Sequence, residues 1–339
     1  MYFKYLFFKY LKNFFIVLIS LSLLFVVMDY IYNFDSLPKS SNLQVMYIFY
    51  MFIYATFTIY PLAIIFSFLM SLNHHIKFNE LVSFYSLGFK PKKILLPFLL
   101  SAVGIFLIFI FIQSTKISYA NQYANAIKSN MNLTNKNLFL KFQDYIIYFK
   151  SLNPIVKHAY GVKIFEIDNS RVTKVITSKV AVFKDNVWEC KNAEILTLKD
   201  NEWKSDVRDI KILKNFKPKI ISNLKMLDNI SFYDAYITVK YFKDIDLNKI
   251  LSIVFFKIFT PLTLIAFMVY LFFTSPIHIR ISNVVVFMIK SVTFSLLLWG
   301  SMLMIYKFTK QGILPFYVLS LPFVAMLLLD FIILRRDND

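Results

Sequence analysis

The chain has 339 residues, of which 58% are hydrophobic and 17% charged, and its mean hydropathy is +0.59. This balance excludes a soluble enzyme of that size and indicates a membrane protein with several spans and room for one further domain. The formal net charge is +18, but no nucleic-acid-binding motif accompanies the basic residues, so no nucleic-acid partner is expected. Cys190 is the only cysteine, which excludes an intrachain disulfide and a metal centre built on thiolates.

Three apolar runs open the chain, at residues 14–32, 45–72 and 94–112. Each is about as long as the 20 residues that cross a bilayer core, or longer, so we expect three membrane-spanning helices. We also expect Pro61 to kink the second helix, because a proline cannot donate the helical hydrogen bond.

A short polar loop, residues 73–93, separates the second and third runs and holds four lysines against one acid, Glu80. The bias of basic residues toward the inner side of membranes places this loop in the cytoplasm. Residues 80–87 are long enough for two helical turns, and Gly88 ends them as a C′ glycine does. A short helix between two spans is suited to transmit a movement of a soluble partner to the membrane part. We expect Glu80 to contact a basic residue of that partner.

The middle of the chain, residues 114–249, is polar and must lie on the opposite side of the membrane from the loop. Residues 114–130 have helical spacing, whereas alternation from Leu138 onward is typical of β-strands. Residues 230–241 lead back to the membrane as a strand or a short helix. Turn signals separate the predicted strands at Asn153-Pro154, Asp168-Asn169-Ser170, Asp185-Asn186 and Asp200-Asn201.

Three more apolar runs, at 250–273, 283–306 and 313–334, complete six spans and put both termini in the cytoplasm. The sequence therefore predicts a polytopic α-helical membrane protein with six transmembrane helices and an inserted all-β domain. Its predicted parts are residues 1–113 with the first three helices, 114–249 with the β-domain and 250–339 with the last three helices.

Motifs for catalysis, metal binding and phosphate binding are absent: the chain has no G-x-x-x-x-G-K-[ST], no H-E-x-x-H and no G-x-S-x-G. We therefore predict no catalytic residue, no metal site and no cofactor. If the protein depends on ATP, another chain must bind it.

A lysine inside an apolar run is the most informative charge. Lys257 lies about 10 Å into the fourth run from its outer end. It can snorkel to the interface, pair with Asp29 at a similar depth in the first span, or meet the phosphates of a lipid. Lys39 and Lys116 belong to the same outer layer, so the three lysines form the predicted lipid-binding set.

Residues Asn79-Glu80-Leu81-Val82, then Leu87-Gly88-Phe89, a basic residue and an apolar run with Pro97 resemble the cytoplasmic loop of the LptF/LptG family. Its members are the permease subunits of the lipopolysaccharide export ABC transporter. Phe255-Phe256-Lys257 followed by Pro261-Leu262 is similar to the family's fourth span. Residues 161–168 and 178–181, with Trp188 in 185–189, look like its periplasmic part, which is a β-jellyroll.

The resemblance implies a non-catalytic permease subunit of the bacterial inner membrane, with its β-domain in the periplasm and lipopolysaccharide as substrate. The implied partners are an LptB-like ABC ATPase dimer, a second, LptF-like permease subunit and an LptC-like periplasmic β-protein. The loop residues implied to couple to the ATPase are Asn79, Glu80, Leu81, Gly88 and Phe89. The acidic patch from Asp29 to Asp35 favours an LptG-like over an LptF-like chain.

Two other interpretations stay open at this point. One is a different ABC-type permease, for lipoprotein or peptide export, although four-span versions place the domain after the first span and here it follows the third. The other is a membrane enzyme acting on lipid-linked sugars, for which Asp29 and Asp35 are the available acids.

Overall fold

The structure is a computed structural model that describes residues 2–128, 135–142, 145–153, 157–168, 171–199, 202–214, 216, 230–241, 247–278 and 283–336. The chain divides into two compact units, one formed by residues 1–124 with 248–339 and the other by residues 125–247.

The helices of the chain include six long ones, separated by shorter elements. In chain order they are α1 (Tyr2–Asn33), α2 (Ser41–Lys77), α3 (Glu80–Ser86), α4 (Pro91–Gln113), α5 (Ala120–Lys128), α6 (Phe232–Tyr241), α7 (Leu247–Thr274), α8 (Val284–Lys310) and α9 (Leu321–Arg336), with 3-10 turns at Phe34–Ser36, Lys116–Tyr119 and Phe316–Ser320. In the described part of the chain, six helices are long and apolar enough to cross a membrane, namely α1, α2, α4, α7, α8 and α9, the last together with the 3-10 turn at Phe316–Ser320. The predicted six-span protein is thereby confirmed.

The first helix starts much earlier than its apolar run. The sequence predicts a span from residue 14, whereas α1 begins at Tyr2. Lysines interrupt the apolar run before residue 14, but Leu6 and Tyr10 are fully buried, so packing against the bundle continues the helix to the N-terminus.

The core of the helical unit lies between α1, α2, α4 and α7. Aromatic rings fill much of it: Tyr60 stacks on Phe109 with ring centroids 4.2 Å apart, and Phe98 meets the edges of Tyr10 and Phe68. By contrast, only 11% of the most apolar 18-residue stretch of α8 is buried, so this helix presents most of its surface away from the core.

Six antiparallel strands form the sheet of the second unit. They are β1 (Asn135–Phe142), β2 (Tyr145–Asn153), β3 (His158–Asp168), β4 (Arg171–Lys184), β5 (Val187–Lys199) and β6 (Glu202–Ile212). Each strand pairs with its chain neighbours, so the sheet is a meander, and the predicted β-domain between two sets of spans is confirmed.

The turn between β4 and β5 shows why the sequence breaks the strand where it does. Asp185 and Asn186 both have positive φ, 50° and 63°, and they connect the pair Lys184 and Val187. Positive φ at both central residues is the type I′ turn that matches the twist of a hairpin, and Asp and Asn tolerate it. The turn predicted at this point is confirmed, whereas residue 154, residues 169–170 and residues 200–201 of the other three turn signals lie outside the described residues.

Trp188 anchors the core of the β-unit. Its side chain is buried against Phe149 and Phe183, and its indole N–H donates to the carbonyl oxygen of Phe216 at 2.6 Å. A buried indole needs such an acceptor, because an unpaired donor in an apolar core costs about 1–3 kcal/mol.

Candidate functional site

The polar loop between α2 and α4 folds into a short helix with defined ends. Asn79 turns the chain with a left-handed backbone, φ 58°, and α3 follows over Glu80–Ser86. At its end Gly88 has φ +80°, its N–H donates to Tyr85, and the N–H of Phe89 donates to Phe84. These two hydrogen bonds make a Schellman motif, for which glycine is the favoured residue at the left-handed position. The predicted two-turn helix and its C′ glycine are confirmed.

Two of the loop residues singled out in the sequence face inward. Leu81 is buried in the core of the helical unit, and Phe89 packs half-buried against it. They attach α3 to the bundle. The outward surface consists instead of neighbours that include Phe78 and Leu87, whose side chains are 60% and 74% exposed.

Glu80 lies at the meeting point of three helices. Its carboxylate accepts hydrogen bonds from the Tyr5 hydroxyl at 3.0 and 3.1 Å and from the Lys9 ammonium at 3.3 and 3.5 Å, both from α1. From α2, His75 Nδ1 lies 2.6 Å and His74 Nε2 3.4 Å from its oxygens. An ionised carboxylate only accepts, so Nδ1 of His75 carries the proton and donates.

These contacts explain the acidity of Glu80. Partial burial acts to raise its pKa, but the hydrogen bonds from His75 and Tyr5 and the charge of Lys9 outweigh burial, so the pKa lies below its usual value. Glu80 is therefore an anion at neutral pH with donors from its own chain on several sides. Its expected contact with a partner's basic residue stays a prediction.

The sequence did not reveal that the first residues of the chain belong to this site. Tyr5 and Lys9 are 75 and 71 positions from Glu80, and no local pattern connects them. The sequence did place two possible partners of the Glu80 carboxylate close by, His74 and His75, which precede it by six and five residues.

The predicted lipid-binding lysines occupy different environments. Lys39 is exposed in the turn after α1, whereas Lys257 is half-buried on α7, about 15 Å along the helix from Leu247. The side chain of Lys116 lies outside the described part of the structure. A common ligand for the three stays a prediction.

Asp29 has partners on its own helix and on α2. Tyr47 donates its hydroxyl hydrogen to Oδ2 of Asp29 at 2.6 Å, and the amide of Asn33 donates to Oδ1 at 3.1 Å. The Tyr47 bond connects the C-terminal end of α1 to the N-terminal part of α2, and the two bonds together give Asp29 a role that needs no ion pair with Lys257.

A cleft of about 390 Å³ lies between α7, α8 and α9, mostly lined by apolar side chains with Lys290 among them. Nearby on α9, Asp330 is 5% exposed, and its Oδ1 has no hydrogen-bond partner in the described part of the chain. Across the same described residues, no group of three or more His, Cys, Asp or Glu side chains could hold a metal ion.

Comparison with protein families gives one match over nearly the whole chain. A family model described as lipopolysaccharide export system permease LptF/LptG matches residues 4–336. Curated proteins give no match. The family consists of permease components that are generally non-catalytic, so the match favours the first of the three interpretations that the sequence leaves open, and it covers LptF and LptG together.

Proposed function

Since the chain belongs to the LptF/LptG family of lipopolysaccharide export permeases, we propose that it is the transmembrane subunit of an ABC transporter that extracts lipopolysaccharide from the inner membrane and delivers it to a periplasmic bridge. The observation that carries the proposal is the family match over residues 4–336, together with three spans, a β-unit and three further spans in that order.

The complete transporter contains further chains. An LptB-like ATPase dimer hydrolyses ATP, a second permease subunit forms the other half of the membrane part, and an LptC-like β-protein receives the lipid. We assign this chain to the LptG-like half on the acidic patch at Asp29 and Asp35. The basic loop 73–93 and both termini face the cytoplasm, and the β-unit lies in the periplasm.

The ATPase docks on the outward surface of α3. This surface carries two large apolar side chains, Phe78 and Leu87, in an otherwise polar and basic loop. Exposed apolar side chains of this size in an aqueous loop favour contact with another protein. Leu81 and Phe89 support that contact from behind by fixing α3 to the bundle.

Lipopolysaccharide phosphates bind the lysines of the outer layer, Lys39, Lys116 and Lys257. Lys257 contributes most, because a half-buried ammonium makes stronger charge-assisted hydrogen bonds than an exposed one, about 1.5–3 kcal/mol each. Its neighbour Phe256 stacks on Tyr306 of α8 at 4.4 Å, so the lysine projects from a packed part of the helix.

A reconstitution with photocrosslinkable lipopolysaccharide tests the function. The chain is purified with its copurifying subunits, and ATP-dependent crosslinking is compared between wild type and Lys257→Met, which keeps length and apolar packing but removes the charge. We expect an ATPase subunit in the wild-type complex and about tenfold less crosslinking in the variant.

The matched control is Lys290→Met, which removes a lysine from the opposite end of a span and should leave crosslinking unchanged. A complex without an ATPase would contradict the transporter assignment. Equal crosslinking in wild type and in a combined Lys39→Met, Lys116→Met and Lys257→Met variant would contradict the lysine site alone.

A further inference from the structure

One face of the first helix contacts both ends of α3. Tyr2, Tyr5 and Lys9 follow one another at intervals of three and four residues, so they lie on the same side of α1. The ring of Tyr2 lies 4.5 Å from that of Phe89 and 6.4 Å from that of Phe84, at the C-terminal end of α3. Tyr5 and Lys9 bind Glu80 at its N-terminal end. α1 therefore holds both ends of a seven-residue helix.

We propose that this face of α1 is a clamp that makes the first span move with α3, and that Glu80 is a positioning residue which acts within the chain. The proposal rests on the proposed function, because it assumes that the ATPase pushes on α3. It adds which span receives the push.

The backbone on either side of α3 is a weak connection. The chain bends through a left-handed residue before the helix, Asn79 at φ 58°, and again after it, Gly88 at φ +80°. Each bend changes the chain direction without helical continuity, so a displacement of α3 passes to the spans mainly through side-chain contacts. The clamp supplies such contacts to α1, and His75 supplies one to α2.

Directly after the clamp residues, two buried hydrogen bonds join α1 to α2. Tyr10 donates its hydroxyl hydrogen to the carbonyl oxygen of Ile64 at 3.1 Å, and Asn13 donates to the Ser71 hydroxyl at 2.8 Å. Tyr10 is fully buried and Asn13 is 9% exposed, so water competes little for these bonds. A push on α3 therefore reaches α1 and α2 together.

Hydrogen exchange tests the clamp without any partner. The full chain is placed in lipid nanodiscs, and amide exchange of residues 80–86 is compared between wild type, Lys9→Gln, Glu80→Gln and the double variant. Because each single change breaks the same charged contact, we expect about tenfold faster exchange in both. The Lys9→Gln change should then add little in the Glu80→Gln background, because the contact is already broken there.

Two further variants make the comparison specific. Lys12→Gln removes an exposed lysine three residues along α1 and should exchange like wild type, and Lys9→Arg keeps the charge and should restore protection. Exchange of residues 80–86 within twofold of wild type in both single variants would overturn the clamp.

The coupling role is read from the complete transporter. We expect Lys9→Gln to keep ATP hydrolysis while lipopolysaccharide transported per ATP falls at least about fivefold, with Lys12→Gln unchanged. Loss of amide protection with unchanged transport per ATP would show a structural contact only and would overturn the inference. A wild-type chain that neither binds an ATPase nor transports lipid would defeat the proposed function, and with it the coupling role, whatever the exchange data show.

Discussion

Asn248 connects the start of α7 to the segment between α8 and α9, and its replacement by alanine should measurably destabilise that segment. It lies in the first turn of α7, and its side-chain amide donates to the carbonyl oxygens of Thr309 at 2.9 Å and Leu314 at 3.1 Å. Its Oδ1 accepts from the backbone N–H of Phe316 at 2.8 Å. One side chain thus satisfies three backbone groups in the connection between α8 and α9.

The free energy that Asn248→Ala removes follows from these three hydrogen bonds. A typical intramolecular hydrogen bond contributes a net 0.5–1.5 kcal/mol, so three give about 1.5–4.5 kcal/mol. Asn248 is only partly buried, so water replaces some of what Asn248→Ala removes, and we take about 2 kcal/mol. This corresponds to about 30-fold faster opening of the connection, since 1.4 kcal/mol is a factor of ten.

Amide exchange over residues 309–318, measured in nanodiscs, is the direct assay, since it reads the local opening of this segment. Asn248→Asp should loosen the segment at least as much, because it keeps the acceptor but sets lone pairs against two carbonyl oxygens. Asn283→Ala is the matched control: Asn283 caps the other end of α8 through Val285 and Val286, so its loss should leave residues 309–318 unchanged. Exchange within threefold of wild type in Asn248→Ala would refute the reasoning.

Two further predictions concern the β-unit. Gly161→Ala should lower the melting temperature of the purified chain, because Gly161 has φ +60° and an added Cβ would lie 2.8 Å from the Cβ of Lys150. The control Gly104→Ala, in open helical surroundings, should leave the melting temperature unchanged or raise it. Equal melting temperatures for the two variants would contradict the steric argument. Lys184→Cys, on a Cys190→Ala background, should react with a membrane-impermeant maleimide in intact spheroplasts if the β-unit is periplasmic. Labelling only after lysis would reverse the proposed topology. Lys184 is chosen because its side chain is exposed and its backbone avoids the positive φ of Asn186.

The architecture could be predicted from the sequence because it depends on patterns that are local along the chain. Long apolar runs give spans, alternation gives strands, and a polar interval such as residues 73–93 must leave the hydrocarbon. The hairpin at Asp185 and Asn186 and the end of α3 at Gly88 were also predictable, since each depends on the backbone preference of one or two residues.

The candidate site could be predicted only in part. Side-chain type marked Glu80 and Lys257, but the partners of a side chain depend on packing between distant segments. Asp29 illustrates this: depth along the chain made Lys257 a reasonable partner, whereas the packing of α2 on α1 brings Tyr47 to its carboxylate, beside Asn33 one turn along α1. The sequence fixes depth within a span far better than the direction in which a helix face points.

Glu80 shows why that direction matters for function. An acid at the first position of a helix is stabilised by the helix dipole, by about 0.3–1 kcal/mol at the surface. The sequence alone is enough for this explanation. In the structure the same carboxylate accepts from Tyr5, Lys9 and His75, and these contacts extend over 75 residues of chain. A capping acid affects only its own helix, whereas an acid bound by α1 and α2 ties that helix to two membrane spans. Substitution of Glu80 therefore separates the two explanations. If Glu80 only caps α3, amide exchange should change in α3 alone. If it is part of the clamp, amide exchange should also change at the N-terminal end of α1.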